Sequence, residues 1–198
     1  MRQLQRLIEE YKSGKIYTAL DTETTGLSRH TEKVIEIGAV KFSKNGVIAE
    51  YNVLINPEKS VPIQAIQIHG ISDDMLVGKP VFKEIADDFL SFIEGTRIVA
   101  HNAQFDISFI NLELTAAGMG ELKNARFPVD TLYLSRKVFP ELEKHSLQFL
   151  TEKLQLQGGT AHRATDDARA CMQLMQKCLI RAAQQLDQLP CRSYKPSN

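Results

Sequence analysis

Apolar and polar positions repeat with two different periods along this chain. Residues 34–42 (VIEIGAVKF) and 47–55 (VIAEYNVLI) alternate and are rich in β-branched side chains, so both read as strands. Ser43-Lys44-Asn45-Gly46 between them is turn chemistry, which joins the two in a hairpin. Residues 16–20, bounded by Gly14 and Asp21, form an apolar run that reads as a buried strand, and 98–100 and 127–130 read as two more short ones. Elsewhere the period is helical. Residues 81–93 place Val81, Ile85, Phe89 and Phe92 on one stripe ended by Gly95. Residues 105–117 do the same with Phe105, Phe109, Leu112 and Ala116, ended by Gly118. Residues 131–138, 146–154 and 166–185 are further helices, the last with Thr165 as its expected N-cap. A hairpin followed by alternating strands and helices predicts a mixed sheet covered by helices, with the strand order left open.

Residues 1–12 form a short amphipathic helix with Leu4, Leu7 and Ile8 on one side. The expected organisation is therefore an N-terminal helical extension at 1–14, one domain at 15–186 and a flexible tail at 187–198, polar and carrying Pro190 and Pro196. A length of 198 residues suits one domain with a sizeable core. Hydrophobic content of 43% and charged content of 24% are ordinary for a globular protein. No apolar run approaches the roughly 20 residues that span a bilayer. The charged N-terminus has no secretory pattern. A cytoplasmic protein without membrane partners is expected. Cys171, Cys178 and Cys191 show no CxxC spacing, which excludes a disulfide framework and a zinc knuckle. Cys171 and Cys178 share one helical face and read as buried thiols. The formal charge of zero gives no basic excess of the kind that marks many nucleic-acid proteins.

The chemistry lies at element boundaries. Asp21 and Glu23 follow the 16–20 run, and residues i and i+2 of a strand point to one face. Two carboxylates held that close repel unless a cation neutralises them. Asp106 falls in the first turn of its helix, where the dipole favours an acid, at the strand–turn–helix junction where open α/β sheets place their sites. Asp166 and Asp167 begin the last helix after His162. Each acid alone has a bland reading as a strand end or helix start. Together, four carboxylates and a histidine suit two-metal phosphodiester hydrolysis, with ions about 3.5–4 Å apart. Hard oxygen ligands select Mg²⁺ or Mn²⁺. A histidine, with an unperturbed value of about 6.5, can act as base near neutrality.

LDTETTG, HNAQFD and HRATDDA resemble, in order and spacing, the three motifs of the DEDDh-type 3′→5′ exonucleases, a family that includes the bacterial polymerase III epsilon proofreading subunit and ribonuclease T. The resemblance covers roughly residues 15–185 and looks nearest to the epsilon type. It implies a ribonuclease H-like α/β fold, a five-stranded mixed sheet with helices on both faces. It further implies that Asp21, Glu23, Asp106 and Asp167 are metal ligands for two ions and that His162 is the general base. Asp166 falls at a variable motif position and reads as a surface acid. Thr25, Gly26 and Leu27 correspond to the loop that meets the 3′-terminal nucleotide, an apolar wedge of the sort that suits single-strand binding. His69-Gly70-Ile71 matches a segment whose histidine approaches that nucleotide, and its residue-level alternative is a histidine ending a helix capped by Gly70. Asn102 and Phe105 complete the candidate substrate set, with Asn102 read as ordering its loop. Asp130 reads as the cap of the helix that follows. Lys41, Lys44, Arg126, Arg136, Lys137 and Arg163 are candidate phosphate contacts.

The expected substrate is a single-stranded or frayed DNA 3′ end, with association to a DNA polymerase, for which residues 1–12 offer a surface. Trimming of RNA ends or of oligoribonucleotides is the alternative, because metals act on the phosphodiester and not on the 2′-hydroxyl. A catalytically silent binding or scaffold module on the same fold is the alternative of another class.

Overall fold

The computed structural model describes residues 2–157, 159 and 162–187. Its strands are β1 (Tyr17–Thr24), β2 (Val34–Ser43), β3 (Gly46–Leu54), β4 (Arg97–Ala100) and β5 (Val129–Asp130). Its helices are α1 (Arg2–Lys12), α2 (Ile63–His69), α3 (Asp73–Leu76), α4 (Phe82–Ile93), α5 (Gln104–Ala116), α6 (Thr131–Val138), α7 (Leu147–Lys153) and α8 (Ala164–Asp187). The strands form one mixed sheet in the order β3-β2-β1-β4-β5. The hairpin strands and β1 pair antiparallel, while β1–β4 and β4–β5 pair parallel.

β1 is central, and its two faces supply two cores. Tyr17 and Ala19 join Val40, Phe42, Val99 and Val129 under α1, α6, α7 and α8. Leu20 joins Ile37, Ala39, Ile98 and Ala100 under α4 and α5. A smaller cluster of Ile35, Val61, Ala65, Ile71 and Leu76 seats α2 and α3. The sheet is thus covered by helices on both faces, as the motif resemblance implied. α1 is part of this packing: Leu4, Leu7 and Ile8 are buried against the first core. Its apolar stripe therefore faces inward and gives no outward apolar surface for a polymerase.

Several boundaries differ from the sequence expectation, each for a physical reason. β1 does not end at Leu20 but runs on to Thr24, because β2 pairs with it through Thr22↔Ile37 and Glu23↔Glu36. β5 keeps only two of the four expected residues. α8 begins at Ala164, so Thr165 lies inside the first turn and is not the cap; its hydroxyl accepts a 2.6 Å hydrogen bond from Asn52 of β3. Asp130 does cap α6, accepting from the amides of Leu132 and Tyr133. The expected tail beyond Asp187 and Cys191 within it lie outside the described residues.

The start of α8 rests directly on β2 at Gly38. A Cβ placed there would lie 2.1 Å from the Ala164 carbonyl carbon and from the Thr165 nitrogen. Only glycine leaves room for this approach. Gly38→Ala should therefore cost at least about 1–3 kcal/mol, the range for overpacking, and displace the α8 start. Urea unfolding of the variant beside the wild type measures this, and an unchanged midpoint would show that the contact relaxes freely.

Candidate active site

The acids gather about the last residues of β1. Asp21 and Glu23 continue the row of β1 that begins with Tyr17 and Ala19, so they face α8. Thr22 faces the other layer, toward α5. Its amide and hydroxyl both donate to Asp106 Oδ1, at 3.0 and 2.8 Å. Asp106 is buried in the first turn of α5 and is thereby drawn over the strand from the opposite side. Asp167 comes from the first turn of α8, and its Oδ2 accepts the His162 amide at 2.8 Å. Ligand atoms of Glu23, His162 and Asp167 all lie within 4.8 Å of one another. Asp21 and Asp106 are not in that tight set, yet both act on the same field.

The electrostatics of the cluster show how crowded it is. Burial first, then the charges of Asp106, Asp167 and Glu23, push the Asp21 carboxyl well above its usual range. Glu23 is pushed up to about 8 by burial, then by Asp167, Glu36 and Asp106. Burial raises Asp106 to about 7 against the lowering effect of its Thr22 bonds. Asp167 is raised by burial as well, partly offset by the His162 amide. These acids destabilise one another when ionised, which is the condition a divalent cation relieves. Carboxylate oxygen donors fit a hard divalent ion.

His162 sits at φ 61, a left-handed conformation uncommon for a non-glycine residue, and its Nε2 meets the Gln148 side-chain amide. Asp166 points away into an ion pair with Arg169 at 2.9 Å, in keeping with its reading as a surface acid.

Leu27 is 86% exposed. The loop that carries it is tied down: the Thr25 hydroxyl donates to Glu32 at 2.6 Å and accepts from the Lys33 amide, and Thr24 donates to the Gly26 carbonyl. His69 ends α2 with Gly70 at φ 73 as its cap. The His69 ring is buried and its Nδ1 accepts from the Ile71 amide, while its Nε2, near the Thr24 backbone, makes no hydrogen bond of good geometry among the described residues. Asn102, at φ 64, donates its amide to Asp130 and orders the turn before α5. Phe105 packs on Phe109 with ring centroids 4.9 Å apart. His101 within the same motif is structural: its Nε2 meets the His145 carbonyl at 2.8 Å and its Nδ1 the Thr131 hydroxyl at 3.0 Å.

The structure also redirects the basic candidates. Arg163 turns inward onto Glu36. Lys41 lies over the Phe92 ring, Arg126 over Phe127 and Lys137 over Tyr133, while Lys44 donates to the Lys12 carbonyl. Sequence reasoning missed Thr22, Glu36 and Gly38. The strand pattern held one usable signal, a glutamate and a glycine two apart in an otherwise apolar strand, facing the layer of Asp21 and Glu23.

A family model described as "Exonuclease" matches residues 18–175. The chain is 46% identical over 173 residues to the DNA polymerase III subunit epsilon of Treponema pallidum, covering 85% of this chain and 79% of that protein. It is 40% identical to the epsilon subunit of Rickettsia felis over 155 residues, 75% of this chain and 67% of that one. A PolC-type DNA polymerase III of Thermotoga maritima matches at 40% over 80% of this chain but only 11% of its own length. Among solved structures, Exonuclease X in complex with 5′ overhanging duplex DNA aligns with a TM-score of 0.67 at 25% identity, covering 84% of this chain and 93% of that one. Escherichia coli Exonuclease I in complex with a dT13 oligonucleotide aligns with a TM-score of 0.77 at 18% identity, over 87% of this chain and 43% of that one, a likeness of fold.

The raised carboxyls fix the sign of a pH effect. A carboxyl that titrates higher in the folded chain than in the unfolded one binds more protons when folded, so stability falls as pH rises between the two values. For Glu23 that window runs from its ordinary 4.5 to about 8. The metal-free protein should therefore melt at a lower temperature at pH 8 than at pH 6, and added Mn²⁺ should raise the melting temperature more at pH 8. Differential scanning fluorimetry in EDTA and in Mn²⁺ checks this. A metal-free protein that melts higher at pH 8 would contradict the reading of the cluster.

Proposed function

The chain belongs to the exonuclease family, and from that premise we propose that Asp21, Glu23, Asp106 and Asp167 hold two divalent ions, Mg²⁺ or Mn²⁺, beside His162 as general base. The chain is a 3′→5′ exonuclease, and its identity to epsilon subunits supports DNA as substrate and a proofreading role. The family is divalent-metal dependent. The single observation that carries the residue assignment is the 4.8 Å grouping of Glu23, His162 and Asp167, set against the like charges of Asp21 and Asp106.

Held by Asp21, Glu23, Asp106 and Asp167, two such ions would supply Lewis-acid stabilisation of phosphodiester charge and would lower the pKa of a water so that it is more easily deprotonated. The chain's own residues do the rest. His162 takes the proton of the attacking water, held in its unusual backbone turn by the bond from its amide to Asp167. Thr22 keeps Asp106 facing the β1 acids. Leu27 wedges against the terminal base, with Thr25 and Gly26 offering backbone around it, and its exposure suits that task. His69, Asn102 and Phe105 border the same terminal nucleotide.

The substrate in this reading is a single-stranded or frayed DNA 3′ end. Exonuclease I was captured with a dT13 oligonucleotide, an unpaired strand, and Exonuclease X with duplex DNA carrying a 5′ overhang, so DNA is the common ligand, and the first of these is in keeping with an unpaired end here. The curated relatives are polymerase III subunits, and we propose that this chain likewise works beside a DNA polymerase. Among the described residues no helix is long and apolar enough to cross a membrane. The DNA substrate favours the cytoplasm as the working compartment.

Asp21→Ala and Asp167→Ala should each abolish Mn²⁺-dependent release of nucleoside 5′-monophosphates. His162→Ala should lower kcat by at least about 10²-fold while Mn²⁺ binding by calorimetry survives. The assay uses matched 5′-labelled DNA and RNA, single-stranded, duplex and 3′-mispaired. Near wild-type cleavage by both aspartate variants sinks the assignment, and preference for RNA would move the substrate to the ribonuclease T-like alternative.

A further inference from the structure

A second carboxylate lies next to the acid cluster without belonging to it. Glu36 of β2 is completely buried and stands opposite Glu23 in the β1–β2 register. Residues paired this way share a sheet face with their Cβ atoms about 4.5–5.5 Å apart, and like charges placed so are unfavourable. A buried acid in that position needs strong compensation. Glu36 has it. Arg163 donates from Nη2 to Oε1 at 3.1 Å and from Nε to Oε2 at 3.4 Å. The Ala164 amide donates to Oε2 at 3.2 Å, and Asn52 of β3 donates to Oε1 at 3.0 Å. Asn52 also donates to Thr165.

Every one of these partners except Asn52 belongs to the segment between His162 and Asp167. Arg163 follows the residue at φ 61, and Ala164 opens the helix that carries Asp167. A left-handed non-glycine turn persists only when its surroundings hold it. The Asp167 bond to the His162 amide closes the turn from inside, and Glu36 holds it from the sheet. Gly38, two residues along the same face, supplies the clearance that brings the helix start down onto β2.

We propose that Glu36 is a positioning residue, which through Arg163 and the Ala164 amide fixes the segment that presents His162 and Asp167 to the scissile phosphodiester. This rests on the nuclease reading above. A group that orients others in this manner, without touching substrate, typically changes activity by about 10–100-fold when removed.

The test uses Glu36→Gln, Arg163→Gln and the double variant in the full chain. Glutamine keeps the shape and an acceptor for Ala164 but loses the ion pair. At saturating Mn²⁺ each single variant should lower kcat by about 10–100-fold with KM for single-stranded DNA changed by less than about twofold. The double variant restores a neutral pair, so it removes the clamp without leaving an uncompensated charge. It should be as slow as the singles and not slower in proportion, since all three break one device. Hydrogen-exchange mass spectrometry of the metal-free proteins should show faster exchange over 162–167 in each. Wild-type kcat in both single variants overturns the proposal. So does recovery of kcat in the double variant, which would mean that Glu36 acts by its charge alone. Should either single variant not fold, the double variant decides, because it leaves no uncompensated charge at the buried Glu36 position: slowed kcat and faster exchange over 162–167 support the clamp, and wild-type values overturn it. Absence of any nucleotide release by the wild type would overturn the nuclease reading, and the exchange measurement still judges the clamp.

Discussion

Everything near the site depends on burying acids beside one another at the end of one strand. β1 is held on both faces by apolar cores, and its last residues carry that rigidity into the acid cluster. Because successive residues face opposite layers, the strand addresses two sets of helices at once. Asp21 and Glu23 meet α8, and Thr22 between them meets α5 through Asp106. A strand that stopped at Leu20 would leave these three residues without fixed directions.

The arrangement stores unfavourable electrostatics in the metal-free chain. Burial raises Asp21, Glu23, Asp106 and Asp167 alike, so none of them is held for the sake of the fold. What keeps them in place is supplied elsewhere. Two apolar layers clamp the sheet, Thr22 anchors one acid, and the Glu36–Arg163 pair anchors the segment bearing another. Such a division lets the cluster be tuned for cations while stability resides in the cores, and it couples metal binding to proton release.

Much of this was legible in the sequence, and the reasons are particular. Asp21, Glu23, Asp106, His162 and Asp167 stand in dense local motifs, so their resemblance to a family carried them together. The hairpin and the long helices were legible because their apolar periods are strong. Glu36 was not, because one glutamate in VIEIGAV reads as a solvent-facing position of an alternating strand. Its burial comes from a helix start 128 positions later in the chain. Gly38 was hidden for the same cause, and the Thr165 cap failed because Asn52 and Glu36 draw the helix start two residues earlier. α3 is four residues long, too short for a helical period to register.

The choice of sugar is separable from the chemistry in this architecture. Carboxylates that hold cations act on phosphate oxygens, which DNA and RNA share, so nothing in the acid cluster reads the 2′ position. Discrimination has to come from groups outside the cluster, and the best-braced exposed apolar group among the candidates is Leu27. The Leu27 loop is fixed by Thr25, Glu32, Lys33 and Lys59 while Leu27 itself stays 86% exposed. An apolar side chain on a braced loop, not needed by either core, is free to change without disturbing the acids. A change in that loop would leave the acid cluster undisturbed, so the architecture lets a surface loop and the phosphodiester chemistry vary independently.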